Sequence, residues 1–226
     1  MASVPPPPAS SPATRDRLLD AAEQLFAEHG FADASLRQIT ALAEANVASV
    51  NYHFGAKEDL YEAVFLRRIR PMNLERTRRL DALANAAEPP ELATVLDILL
   101  APIVELATSR LPQRHPFVRL MSRNLIEPPP FMAAVVSREL GPMLQRVFPL
   151  LRRAVPHLDG PALQFRLRLL MGATNMTYAA AAFPALGRED VVHRLNPREQ
   201  LDHFIVAAEA MLRAPQPGTA RPAPTS

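Results

Sequence analysis

Cysteine is absent from this chain of 226 residues, which excludes disulfide frameworks, thiolate nucleophiles and Cys-ligated zinc and is consistent with a reduced compartment. Lysine is nearly absent: Lys57 stands alone against 24 arginines. Glycine is scarce at seven residues, which leaves little scope for phosphate-cradling loops, and no Walker loop, GxGxxG or GxSxG occurs. No apolar stretch reaches the roughly 18 to 20 uncharged residues that a membrane span needs. The N-terminal MASVPPPPASSPA has neither a basic n-region nor an apolar run, so no signal peptide or anchor is expected and the protein reads as soluble and cytoplasmic. The six histidines, at 29, 53, 115, 157, 193 and 203, form no HExxH or i, i+4 pair, so neither a metal site nor a cofactor is expected. Carboxylate pairs such as Glu58-Asp59 and Glu189-Asp190 suit the positive end of a helix dipole better than acid–base work. With no nucleophile beside a base, the chain does not read as an enzyme.

Positive charge in excess is also missing. The net charge is only +2, and between residues 14 and 57 the balance is slightly acidic: Arg15, Arg17, Arg37 and Lys57 face Asp16, Asp20, Glu23, Glu28, Asp33 and Glu44. A nucleic-acid partner must therefore be argued from where the cations sit, not from their number.

What is present is helical periodicity. Strand-type alternation is not found, so an all-α fold is expected. Leu18, Leu19, Ala22, Leu25 and Phe26 make one core-facing stripe, ended by Gly30, which suits a left-handed cap. Ser35-Leu36-Arg37-Gln38 is a capping-box pattern, with Ser35 accepting from a helix amide and Gln38 reaching back. A second helix follows to about Leu42. Asn46 is an N-cap for a third, running to Phe54 and stopped by Gly55. Beyond Lys57 comes a long amphipathic helix, expected to be interrupted or kinked near Pro71. Further helices are expected at about 91–108, 115–126, 130–154, 160–183 and 198–213, with Pro102, Pro142 and Pro149 bending or dividing them.

Two short helices joined by a four-residue break form the layout of a helix-turn-helix, whose second helix enters the major groove. On residues 46–54, Val50 and Phe54 are expected inward, with Ala45 packing the turn. Val47, Ala48, Ser49, Asn51, Tyr52 and His53 are expected outward. That face offers methyl groups to thymine, an amide that pairs with adenine, and hydroxyl or imidazole donors to phosphate. It carries no full positive charge. Arg37 is thus the candidate reader of guanine, and Lys57, at the start of the next helix, the candidate phosphate contact. Ser35 and Asn46, at the two helix starts, complete the candidate DNA-binding set.

Residues 15 to 60 resemble the N-terminal domain of the TetR/AcrR family of transcriptional regulators, whose pattern runs from AAxxLFxxxGF through T-x-R-x-I to Y-x-F-x-x-K-x-x-L. Here it reads Ala21-Ala22 to Leu25-Phe26 and Gly30-Phe31, then Ser35-Leu36-Arg37-Gln38-Ile39, then Asn51-Tyr52-His53-Phe54-Gly55-Ala56-Lys57. The stretch from Asn46 to Lys57 is similar to a subgroup carrying VNYHFGSK, some members of which respond to fatty acids or acyl-CoA. Two positions depart from the family. Glu44 stands where Gly is usual, which implies an altered turn or strain of order 1 kcal/mol. Asn51 stands where Tyr is frequent, and its shorter side chain suits a base edge better than a phosphate.

The resemblance implies a helical ligand-binding and dimerisation domain after the reader. It also implies a small hydrophobic effector, of which fatty acid or acyl-CoA is one kind, and a homodimer through helices at about 160–183 and 198–213. The small residues Gly172, Ala173 and Ala179 to Ala182, with Leu169 and Met176, agree with close helix approach, as do Leu201, Phe204, Ile205, Ala208 and Leu212. Candidate pocket residues are polar or adaptable groups within apolar helices: His115, Arg119, Met121 and Asn124, then Met171, Asn175 and Tyr178, with Arg123, Thr177 and Met176 beside them. The expected organisation is a tail at 1–13, a helix-turn-helix domain at 14–60, a ligand-binding and dimerisation domain at 61–213, and a second Pro-rich tail at 214–226. The expected function is a ligand-responsive repressor binding a near-palindromic DNA operator. The alternative is an architectural DNA-binding protein without an effector pocket.

Overall fold

The computed structural model describes residues 12–86, 88–109, 115–178 and 195–217, with the side chains of His115 and Leu125 left aside. Among the described residues there are nine helices and no strand: α1 (Pro12–Asp33), α2 (Leu36–Leu42), α3 (Val47–His53), α4 (Lys57–Ala84), α5 (Leu92–Ala107), α6 (His115–Ile126), α7 (Met132–Ala154), α8 (Gly160–Tyr178) and α9 (Pro197–Arg213). The all-α expectation therefore holds, and the helix ends fall close to the capping signals.

The chain divides into two compact units. The first is Met1–Asn73 with Ser109–Gly141, and the second is Leu74–Thr108 with Pro142–Ser226. The first unit is thus larger than the 14–60 domain expected from sequence. It takes in the opening of α4, all of α6 and the opening of α7. A helix-turn-helix of three short helices buries little apolar surface by itself, and α6 supplies more through its buried Phe117 and Leu120.

In the first unit Leu18, Leu19, Ala22 and Phe26 of α1 are buried, as their spacing predicts, with Ile39 of α2, Val50 of α3 and Leu60, Tyr61 and Val64 of α4. Phe26, Phe31, Tyr61 and Phe131 close the core as an aromatic cluster, with Tyr61 edge-on to Phe26 at 4.7 Å and to Phe31 at 5.4 Å. Glu23 is buried there and accepts from Arg67 (2.5 Å) and Arg68 (3.2 Å) of α4, while Asp20 takes the other Arg67 nitrogen at 2.7 Å. In the second unit Val95, Leu96, Leu100, Val147, Leu151, Leu163, Leu170, Leu201, Ala208 and Leu212 form one continuous core.

Three expectations are corrected. Of the effects expected at the prolines, interruption and division are the ones corrected: Pro71, Pro102, Pro142 and Pro149 lie inside helices that continue through them. A proline removes one backbone hydrogen bond at about 3 kcal/mol, and the buried residues on either side, such as Ile69, Ala101, Ile103, Met143, Val147 and Leu150, offset that cost. Residues 12 and 13 of the expected tail already belong to α1. At the other end Arg166 donates to Met211, Ala214 and Pro215 carbonyls at 2.7, 2.6 and 2.8 Å, and Gln216 bonds Asp159, so 214–216 are tied down. The remaining tail residues, and Ala179 to Ala182, lie outside the described residues.

Candidate DNA-binding interface

Each element of the reader is set by a local device. The Ser35 hydroxyl accepts from the Gln38 amide at 3.2 Å while Gln38 Oε1 accepts from the Ser35 amide at 2.9 Å, the reciprocal pair that starts α2. Asn46 Oδ1 accepts from the Ser49 amide at 2.8 Å and starts α3. Between them Glu44 adopts φ 49°, the left-handed region. Of the two alternatives expected at this position, an altered turn or a strained one, the positive φ is the strained one, with a glutamate where glycine is usual. Arg17 of α1 clasps this turn, its Nε donating to the Ala43 carbonyl at 2.9 Å and its guanidinium reaching the Glu44 carbonyl at 3.5 Å.

On α3, Val47, Ala48, Asn51 and Tyr52 are exposed. At 100° per residue these positions share one face, and Ser49, Val50, His53 and Phe54 share the other. Tyr52 is 71% exposed. Ser49, expected outward, is a correction: it is 1% exposed and its hydroxyl donates to Asn46 Oδ1 at 3.0 Å. The helical period turns it toward the core beside Val50. His53 is half-buried rather than outward, edge-on to Tyr52 at 5.1 Å. Asn46 is exposed, with its Oδ1 engaged in capping α3. On α2 the exposed face is Arg37, Gln38, Ala41 and Leu42, the same i, i+1, i+4, i+5 pattern. The Arg37 guanidinium bonds no described residue and points into solvent.

Lys57 is not simply exposed. Its ammonium donates to the Ala32 carbonyl at 3.2 Å and lies 4.6 Å from the centre of the Phe31 ring. That seat consumes one of its three donors. Arg15 stands 5.3 Å over the Phe54 ring, which places another cation at the end of α3. Sequence reasoning missed the roles of Arg15 and Arg17. Arg17 lies 26 residues from its acceptor, so no local pattern announces it.

The pocket candidates fall in both units. In the first, Arg119 is exposed, Met121 is half-buried, and Asn124 Oδ1 accepts from the Tyr61 hydroxyl at 2.7 Å; the side chain of His115 lies outside the described set. Burial pushes the Tyr61 phenol up to about 12, so it stays a neutral donor. In the second, Met171 is exposed, Asn175 donates to the Met171 carbonyl at 2.7 Å, and the Tyr178 hydroxyl donates to Gln200 at 3.0 Å. An open groove of about 440 Å³ in the first unit is lined by Arg15, Leu19, Glu62, Leu66, Arg67 and Arg70 among others, and by none of these candidates. No helix among the described residues is long and apolar enough to cross a membrane.

A capped α2, a four-residue turn and a capped α3 with an outward polar-aromatic face define a helix-turn-helix DNA-binding regulator. The comparisons with known proteins agree: the family model for bacterial regulatory proteins of the tetR family matches residues 18–64, and that for the tetracyclin repressor-like C-terminal domain matches residues 97–211. The chain belongs to the TetR family of transcriptional regulators. It is 32% identical over 115 residues to the HTH-type transcriptional regulator UidR of Escherichia coli K12, covering 51% of this chain and 54% of UidR. The match thus spans about half the length of that relative. Over 51 residues it is 41% identical to the HTH-type transcriptional repressor NicS of Pseudomonas putida, covering 23% of this chain and 24% of NicS. Two solved structures share the fold. The fatty acid degradation regulator FadR of Bacillus halodurans superposes with a TM-score of 0.61 at 18% identity, covering 91% of this chain and 99% of that one. SmeT, the repressor of the Stenotrophomonas maltophilia multidrug efflux pump SmeDEF, gives 0.60 at 21% identity, covering 92% and 99%.

Proposed function

We propose that the chain is a cytoplasmic, homodimeric repressor that binds a near-palindromic operator and releases it when a small hydrophobic effector, of the fatty-acid or acyl-CoA class, binds the C-terminal region. The observation that carries the DNA half of this reading is the exposed face of α3, Val47, Ala48, Asn51 and Tyr52, beside the unengaged Arg37 of α2. In it Asn51 pairs with adenine, the methyl groups meet thymine, Arg37 reads guanine, and Lys57 meets a phosphate. Ser35 adds a backbone contact at the start of α2.

The dimer reading is supported by apolar side chains that the second unit leaves in solvent. Phe165, 63% exposed, and Leu169 lie on α8 with Gly172 and Ala173, and Val206, 67% exposed, lies on α9 with Ala207 and Ala210. Leu201, Ile205, Ala208 and Leu212, expected from sequence at the interface, are instead buried in the protomer core. In this reading the interface on α9 uses the exposed stripe of Val206, about one residue away from the buried apolar stripe.

Selection of duplexes from a random pool tests this function, with the stoichiometry of the complex measured by sedimentation. Two copies on a near-palindrome, with half-sites about one helical turn or roughly 34–36 Å apart, are expected. Tight binding of any duplex, with no sequence recovered, favours an architectural role. Thermal-shift screening with fatty acids and acyl-CoAs tests the effector, whose coupling to DNA should be about 1 to 3 kcal/mol, a roughly 5- to 150-fold change in affinity.

A further inference from the structure

The α1 helix is broken at Gly30, which has φ 81° and ψ 177°, so the chain turns away before Phe31 and Ala32. At such a break carbonyls of the preceding segment are left for other donors, although the Gly30 carbonyl still accepts from the Ala34 amide at 3.3 Å. Arg123 of α6 fills the gap. Its guanidinium donates to the Glu28 carbonyl at 3.2 Å. Its side chain also packs close to the bare Gly30 backbone: a Cβ at position 30 would stand 3.0 Å from Arg123 Nη1 and 3.3 Å from Cδ. A cation at a helix C-terminus is favoured by the dipole as well as by the hydrogen bond.

The two residues that follow the bend are the seat of the chain's sole lysine. Phe31 offers its ring face to the Lys57 ammonium at 4.6 Å, and Ala32 offers its carbonyl at 3.2 Å. The Phe31 ring is itself held edge-on by Tyr61 at 5.4 Å and Phe131 at 5.1 Å. Tyr61 is one turn beyond Lys57 on α4, and its hydroxyl donates to Asn124, the neighbour of Arg123. One helix, α6, thus holds the surroundings of the lysine's seat at two points: Arg123 bonds α1 beside it, and Asn124 bonds the Tyr61 that packs on the Phe31 ring.

We infer that Arg123 is a positioning residue for DNA binding: by pinning the end of α1 it fixes Phe31 and Ala32, and through them the direction in which Lys57 presents its ammonium to a phosphate. The inference rests on Lys57 as the phosphate contact of the proposed function. Any shift of α6 that lifts Arg123 from Gly30 withdraws the support of that contact without touching DNA.

Lys57 is its own reporter, because lysine-selective isotope labelling of the full chain gives a single side-chain signal. In the native protein the Phe31 ring current should move its ε-methylene protons upfield. In Arg123→Ala, or in Arg123→Gln where the alanine variant melts without cooperativity, that signal should move toward the value of a free lysine. An unchanged Lys57 signal in a folded variant overturns the inference. Binding of the selected duplex across salt supplies the second arm. Arg123→Ala should lower the salt slope by about one and the affinity about fivefold at 0.15 M, and Lys57→Ala with Arg123→Ala should lose no more than Lys57→Ala alone. Additive losses contradict the coupling. A Lys57→Ala variant with an undiminished slope removes the phosphate contact itself, whatever the labelled lysine shows.

Discussion

Glu44 holds a left-handed backbone conformation that L residues with a Cβ adopt at a cost of order 1 kcal/mol, and it does so at φ 49° in the turn on which the reader depends. Arg17 stabilises the strained turn through the Ala43 and Glu44 carbonyls. Glu44→Gly relieves the strain but adds backbone freedom to the unfolded chain, so a gain of at most about 1 kcal/mol in chemical denaturation is expected. A loss of stability would show that the glutamate side chain contributes more than its backbone costs. The same variant removes a negative charge near the reader, and Glu44→Gln separates the two effects: only the charge term should persist in it as tighter, more salt-dependent DNA binding. At this scale the sequence was legible where chemistry is local. The capping box at Ser35 and the cap at Asn46 were readable, whereas at Glu44 the sequence left an altered turn and a strained one both open. Ser49 was misjudged because its hydroxyl looked like a DNA donor, whereas its helical phase and the neighbouring Asn46 claim it.

Among the elements, α1 and α4 are joined by an ion cluster that periodicity does not reveal. Glu23 is 2% exposed and faces both Arg67 and Arg68. Removing one partner of a buried pair leaves the other charges uncompensated. Glu23→Ala should therefore destabilise the protein by roughly 3 kcal/mol, near the low end for such losses because both arginines retain some solvent. A thermal or urea transition within about 0.5 kcal/mol of the parent would show that the arginines rehydrate freely. Helix existence and ends were legible because caps and apolar stripes agree with one another. The proline positions were not, since the packing that carries a helix through Pro71 or Pro142 is tertiary. The ion cluster joins residues 44 and 45 apart in sequence and is equally invisible to a local pattern.

For the molecule as a whole, a net charge of +2 cannot supply strong sequence-independent affinity for DNA. In the proposed function recognition comes from a few placed groups, with Arg37 reading a base and Lys57 meeting the backbone. The family was legible from residues 15 to 60, about a fifth of the chain, since the reader's geometry needs fixed residue types at fixed spacings, and the fold class from helical periodicity throughout. The composition of the first unit was not: α6 and the opening of α7 join it through contacts such as Arg123 with Glu28, 95 residues apart. The proposed effector site was least legible, because a binding pocket imposes few residue identities, and of the polar candidates Asn124, Asn175 and Tyr178 bond neighbouring groups within the fold. The division of labour between Arg37 and Lys57 is tested most directly by measuring affinities for the selected operator, each single-base variant of it and a random duplex, from low to high salt, with Arg37→Ala and Lys57→Ala beside the parent. Arg37→Ala should lose about 1 to 3 kcal/mol on the operator and become indifferent at one base position, whereas Lys57→Ala should lose affinity evenly for all sequences with a salt slope lower by about one. Equal losses for both variants on every duplex would contradict it.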